Sequence, residues 1–191
     1  AFYGCNNMQT VTLGTNVKTL EMSALEAMYR ATVYEGDMKS WMNLPKGGLD
    51  CGELTIDGEL IVDFSPEQYS INEIPAATFK GCTSLKTVNL PYGVKEIGGM
   101  AFFECNNLTE VTAKGVTKIG DYAFAYCDNL SKANMFLGSA TRGSDSEAIH
   151  IGASAFSGCT KLGEIVLPDN IAYIGSYAFD NTLWFNNLSD G

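Results

Sequence analysis

The stretch AFFEC at 101–105 returns as AFAYC at 123–127 and AFSGC at 155–159, with looser copies AFYGC at 1–5, TFKGC at 78–82 and AFDNT at 178–182. From Phe79 to Phe102 is 23 residues, from Phe102 to Phe124 is 22, and from Phe156 to Phe179 is 23. A fixed period of this size is the mark of stacked supersecondary units, none of which can bury its apolar face alone. Such arrays build extended surfaces, and those surfaces generally bind.

Taking each landmark Phe as position zero aligns further columns. Position −8 holds Val17, Ile71, Val94, Val116 and Ile171. Position −5 holds Leu20, Ile74, Ile97, Ile119, Ile151 and Ile174. Position +6 holds Met8, Leu85, Leu108, Leu130 and Leu162. Position +9 holds Val11, Val88, Val111, Ala133 and Ile165, and +11 holds Leu13, Leu90, Ala113, Met135 and Leu167. Apolar residues at +9 and +11 with a polar one between have the period of a half-buried strand. Strands in consecutive rungs are expected to pair in parallel, roughly 4.8 Å apart. The Phe column then stacks along the core. Gly98, Gly120, Gly152 and Gly175 follow the −5 residue, where a bend with positive φ is expected. Ala24-Leu25 reads as a further, hidden copy of the Ala-Phe pair.

The pattern L-x-x-V-x-L followed by V-x-x-I-G-x-x-A-F-x-x-C resembles the BspA-like (Treponema pallidum-type) leucine-rich repeats of bacterial surface proteins. The resemblance covers residues 1–25 and about 71–182. It implies a gently curved leucine-rich-repeat solenoid of about 7–8 rungs, α/β in class, with mainly short parallel strands and short helical turns. It also implies an extracellular or bacterial cell-surface protein, often linked to adhesion. No catalytic residues belong to the family.

The organisation expected is one repeat domain over 1–191, with first repeats at 1–25, an irregular helix-hairpin segment at 26–70 and regular repeats from 71 to 191. Ser23 to Glu26 forms a capping box, and Leu25, Met28, Tyr29 and Val33 have helical spacing, which predicts a helix over 24–34. Asp37 is placed to cap a short helix carrying Met38, Trp41 and Met42, ended by Pro45. Asp57-Gly58, flanked by Leu54, Ile56, Leu60 and Val62, signals a hairpin. The interval from Phe124 to Phe156 is 32 residues, so a polar loop insertion is expected near 136–147. The chain opens at Ala1 inside a repeat, which reads as a piece of a longer protein.

Net charge is −10, with 22 Asp and Glu against 12 Lys and Arg. That balance argues against phosphate-backbone binding, which needs a basic stripe, so no nucleic-acid partner is expected. No apolar run reaches the ~20 residues of a membrane-spanning helix. Five cysteines fall in one column at +3 (Cys5, Cys82, Cys105, Cys127 and Cys159), while Cys51 stands outside it. A fixed register favours buried, free thiols over bridges. His150 is the only histidine, and C-x-x-C pairs and phosphate-binding glycine loops are absent, so no cofactor or metal is expected. A calcium site among Asp57, Glu59 and Asp63 lacks EF-hand spacing.

The strand columns leave Thr87, Glu110, Lys132 and Glu164 at +8, and Asn89, Thr112 and Asn134 at +10, facing solvent on the concave sheet. This mixed polar ribbon suits a protein or glycan ligand. The first reading is therefore a non-catalytic recognition or adhesion module. The alternatives are a structural spacer supporting another domain, and a hydrolase site built from carboxylates in 26–70.

Overall fold

In the computed structural model, which describes residues 8–21, 30–47, 49–135 and 147–188, the alternation at +8 to +11 becomes strand in coil after coil. The elements in chain order are β1 (Thr10–Leu13), β2 (Ala31–Tyr34), α1 (Met38–Asn43), β3 (Glu53–Ile56), β4 (Glu59–Leu60), β5 (Asp63–Phe64), a 3-10 turn (Glu67–Tyr69), β6 (Glu73–Ile74), β7 (Thr87–Leu90), β8 (Glu96–Ile97), β9 (Glu110–Ala113), β10 (Lys118–Ile119), β11 (Lys132–Asn134), β12 (Ile149–Ile151), β13 (Glu164–Ile165), β14 (Ile171–Ile174) and α2 (Leu183–Leu188). They form three sheets, ordered β1-β2-β3-β4, β5-β7-β9-β11-β13 and β6-β8-β10-β12-β14. Every pairing is parallel except the β3–β4 hairpin. Five successive coils each give one strand to the second sheet and one to the third, the signature of a solenoid.

The Phe column is one stack. Ring centroids of Phe79–Phe102, Phe102–Phe124, Phe124–Phe156 and Phe156–Phe179 lie 5.4, 5.0, 5.2 and 5.4 Å apart, with planes within 14° of parallel. An edge-tilted aromatic ends the stack on each side: Phe64 lies 4.7 Å from Phe79 at 56°, and Trp184 lies 5.1 Å from Phe179 at 62°. The apolar columns around the stack are buried in one continuous cluster, most completely in the middle coils.

The corner carrying the AF motif is held differently from the sheets. Positive φ recurs two residues before each Phe (Ala77, Met100, Tyr122, Ser154, Tyr177) and two after it (Gly81, Glu104, Tyr126, Gly158, Asn181). Alternating backbone hands turn every second N–H along the stack. The amides of Ala77, Phe79 and Gly81 donate to the carbonyls of Gly99, Ala101 and Phe103 in the next coil, and the same triplet recurs at the three following junctions. All these bonds point from the earlier coil to the later one. The corner is thus a third ladder, which satisfies backbone groups that a plain turn would leave buried and unpaired.

The glycines at 98, 120, 152 and 175 differ from expectation, because none has positive φ. Their need for glycine is steric. A Cβ there would sit 2.4–2.6 Å from the backbone nitrogen of the preceding coil, at Ala76, Gly99, Asp121 and Ala153 respectively. The left-handed residues are instead the variable ones flanking Ala-Phe, where the inter-coil bonds offset the strain.

The expected helix over 24–34 is also corrected. Ala31–Tyr34 is a strand, aligned residue for residue with Thr10–Leu13 and with Glu53–Ile56. Thr32 and Tyr34 take the inward positions. Period-2 burial of β-branched and aromatic side chains outweighed the 3.6-residue pattern of Met28 and Val33. Residues 22–29, on which the expected capping box and the Ala24-Leu25 copy fall, lie outside the described residues, as do AFYGC at 1–5 and residues 136–146 of the loop insertion expected near 136–147. Between the strands, α1 forms as expected: Asp37 accepts from the Ser40 N–H at 2.7 Å, which holds its carboxyl below the usual range. The Asp57-Gly58 hairpin is present, both residues having positive φ. Residues 26–70 therefore contain a helix and a hairpin, and also strands that extend the array.

Trp41 joins this N-terminal part to the regular coils. Its ring is fully buried against Tyr34, and its Nε1 donates to the Thr78 carbonyl at 3.0 Å. The Cys51 N–H donates to the Lys80 carbonyl and the Gly52 N–H to that of Gly81. These groups close the carbonyl end of the corner ladder and account for Cys51, the cysteine outside the column.

Lys46 lies over the Trp41 ring at 4.7 Å and donates to the Leu44 carbonyl. Burial pulls its pKa from 10.5 down to about 8. A lysine depressed in the folded state binds its proton less tightly there than when unfolded. Its contribution to stability therefore rises as pH climbs from about 8 towards 10.5. The stability difference between wild type and Lys46→Met, from urea midpoints, should shift in favour of wild type across that window and stay flat from pH 6 to 7. A difference that stays constant to pH 10 would contradict the burial of a charged amine.

Candidate binding ribbon

Parallel register, with its ~4.8 Å spacing between strands, brings residues from different coils into rows. On the second sheet one exposed row runs Asp63, Thr87, Glu110, Lys132, Glu164, and beside it runs Asn89, Thr112, Asn134. All seven side chains singled out from the sequence thus lie on one face in two adjacent rows, each exposed or half-buried, between inward residues such as Val88 and Val111. Thr87 Oγ1 donates to an Asp63 carboxylate oxygen. Lys132 stands in register between Glu110 and Glu164, yet none of the three belongs to an ion pair among the described residues. Their charges remain available to a partner.

Sequence reasoning missed Asp63, which opens the row from within the segment taken as irregular. It also missed a second ribbon. The short strands of the third sheet, two to four residues long, align Glu73, Glu96, Lys118, His150 and Tyr173. Lys118 Nζ donates to Glu96 at 2.6 Å, and that bond raises the lysine pKa. His150 is exposed on β12, with its ring 6.3 Å from Tyr173. The signal was present at −6, one residue before the Ile column, but strands this short carry too little alternation to declare themselves.

Two open hollows lie in the N-terminal part. One, of about 380 Å³, is lined by Gln9, Thr10, Arg30, Ala31, Glu53 and Thr83, and Arg30 donates to Gln9 at 2.8 Å. The other, of about 220 Å³, lies between α1 and residues 69–75. Each hollow is lined by a single carboxylate of 50–73, Glu53 in the first and Glu73 in the second, so these carboxylates do not converge there. Asp50 pairs with Lys80, Asp63 accepts from Thr87, and Asp57 sits on the hairpin tip.

The cysteine column is structural. Cys51, Cys82, Cys105, Cys127 and Cys159 are free and buried. The thiols of Cys105, Cys127 and Cys159 donate at 3.0 Å to the carbonyls of Phe79, Phe102 and Phe124 in the preceding coil. Burial, with the neighbouring Cys105, pushes Cys82 up to about 12, and burial pushes Cys51 and Cys127 well above the ordinary thiol value. Protonated, enclosed thiols are neither nucleophiles nor ready metal ligands. No group of three or more His, Cys, Asp or Glu side chains able to hold a metal ion occurs among the described residues.

The fold is similar to that of a leucine-rich cell surface protein from Faecalibacterium prausnitzii A2-165 (TM-score 0.53, 17% identity), with 96% of this chain and 60% of that chain covered. A leucine-rich repeat protein from Bacteroides ovatus ATCC 8483 is a weaker match (TM-score 0.46, 21% identity), covering 93% of this chain and 48% of that one. The chain thus spans less than two thirds of either structure. No curated protein matches it. The family described as "BspA type Leucine rich repeat region" matches six copies over residues 1–35, 64–144 and 144–189. With the AF column, the parallel coils and this match in place, the chain belongs to the BspA-type leucine-rich repeat family.

Proposed function

We propose that this chain is a non-catalytic recognition module of a cell-surface or secreted protein, binding a protein or glycan through the ribbon of Thr87, Asn89, Glu110, Thr112, Lys132, Asn134 and Glu164. The observation that carries this reading is the register, which lines up these seven side chains on rigid strands with no ion pair among them. A pre-formed row of mixed donors and acceptors loses little conformational entropy on binding and favours specificity over bulk charge attraction. The cell-surface description of the Faecalibacterium structure supports the location.

The test is binding of the purified chain to glycan arrays and to immobilised matrix proteins and mucins. Any ligand found should lose about tenfold or more in affinity with Glu110→Ala combined with Asn134→Ala, at unchanged thermal stability, as loss of two interface hydrogen bonds implies. Unchanged affinity would move the site away from the ribbon. Failure to bind any member of the panels would favour a spacer role.

A further inference from the structure

The left-handed positions flanking Ala-Phe, and the residue at +1 between them, vary from coil to coil, with residues as different as Ala77, Ser157 and Asn181. The fold therefore does not dictate what stands there. In two adjacent coils these positions hold rings that gather on the outside of the corner: Phe103 from one, Tyr122 and Tyr126 from the next. The Phe103 ring lies 6.5 Å from Tyr122 at 70° and 5.6 Å from Tyr126 at 81°. Phe103 is half-buried, but the tyrosines stay 40% and 49% exposed. Tyr126 is also seated. Its ring lies against the buried Gly158 of the following coil, where a Cβ would come within 2.6 Å of the Tyr126 Cδ1. Positive φ alone does not require glycine at 158, since Glu104, Tyr126 and Asn181 take that conformation at the equivalent positions. Glycine there makes room for the tyrosine. The ring is thus wedged between backbone and a neighbouring ring and still open to solvent, an aromatic that loses little entropy on binding.

We propose that Phe103, Tyr122 and Tyr126 form a docking surface for a basic segment of a partner protein, with an arginine or lysine side chain over the open face of Tyr126. Charge selects the occupant. Glu104 stands one coil before Tyr126 in the same corner row, and Asp128 follows Tyr126 by two residues. Neither carboxylate belongs to an ion pair among the described residues. The cluster already receives one cation: Lys80, paired with Asp50, lies 5.8 Å over the Phe103 ring. Aromatic faces attract cations, and the planar guanidinium stacks on them. The net charge of −10 adds a long-range pull on positive partners. A second copy of the corner would bring the same tyrosines and carboxylates, with like charge facing like. None of the three rings lies on a strand, so this surface is separate from the ribbon of the second sheet.

The experiment is fluorescence anisotropy at about 0.15 M salt, where surface charge is screened beyond about 8 Å. The probe is a fluorescein-labelled peptide of alternating arginine and glycine, beside the same peptide with citrulline in place of every arginine, which keeps the shape and removes the charge. The arginine peptide should bind at least about tenfold more tightly than the citrulline peptide. Tyr126→Ala leaves the net charge unchanged and should weaken binding about fivefold or more, whereas Tyr126→Phe, which keeps the ring face, should stay within about twofold. Gly158→Ala, which displaces the Tyr126 ring, should act like Tyr126→Ala. Glu110→Ala combined with Asn134→Ala, on the ribbon, should have little effect. Melting temperatures confirm that each variant is folded. Binding that survives Tyr126→Ala would be bulk charge attraction and would overturn the proposal. So would equal binding of the citrulline peptide, no binding of either peptide, or loss of binding in the ribbon variant. Binding that needs Tyr126 but is shown only by a neutral oligosaccharide such as cellohexaose would identify a glycan as the occupant and overturn it too.

Discussion

Phe102→Ala lowers the unfolding free energy by about 3–5 kcal/mol. The ring is fully buried, with Phe79 on one side at 5.4 Å and Phe124 on the other at 5.0 Å. Truncation removes the transfer free energy of the ring and leaves a cavity whose walls cannot close. The Phe102 amide and carbonyl are held by Ala123 N-terminal to Phe124 and by the Cys127 thiol, which fixes the backbone around the gap. Urea titration gives the number. A loss under about 1 kcal/mol would mean that the ring is not shared between coils.

Trp41→Ala costs a similar amount, about 3–5 kcal/mol, by a different route. Trp41 fills the joint between the N-terminal strands and the regular coils, and its N–H is the strongest donor to the Thr78 carbonyl. The Cys51 thiol lies farther from that oxygen, at 3.8 Å. Trp41→Phe separates the two contributions: it keeps much of the packing and leaves the buried carbonyl with only the longer Cys51 thiol contact, at a cost of about 1–3 kcal/mol. Damage at the joint should also be local. Exchange protection should fall over β2 and β3 before it falls over β9 and β10, because a stacked array couples mainly to its neighbours. Uniform loss of protection along the chain would contradict the joint.

Much of this architecture was legible because the repeat amplifies weak signals. One Val-x-Leu alternation is ambiguous, but Val88/Leu90, Val111/Ala113 and Ala133/Met135 in one register are not. The column that gave Phe79, Phe102, Phe124 and Phe156 as core gave Cys82, Cys105, Cys127 and Cys159 as buried thiols by the same logic. What stayed hidden depends on contacts between coils that have no periodic residue signature. Met100, Tyr122 and Ser154 share a left-handed backbone and nothing else, so the corner ladder was invisible. At Gly120 the sequence suggested a positive-φ bend, whereas the backbone nitrogen of Gly99, 2.5 Å from where a Cβ would sit, is the reason for glycine. Ala31–Tyr34 was misread because a copy lacking the Phe landmark offers only local pattern, and there a helical and a strand period compete. For the ribbon, the sequence placed Glu110, Lys132 and Glu164 in one row. It did not show that Asp63 begins that row or that Glu96, Lys118 and His150 form another.

The most direct test of the shared interior is a double-mutant cycle between Phe102→Leu and Phe124→Leu, with stabilities from urea unfolding. These rings come from different coils, 22 residues apart in sequence, and stack at 5.0 Å with planes 7° apart. The stacked-coil account predicts a coupling energy of about 0.5–1.5 kcal/mol. Effects that add to within about 0.3 kcal/mol would place the two rings in separate hydrophobic centres and contradict it.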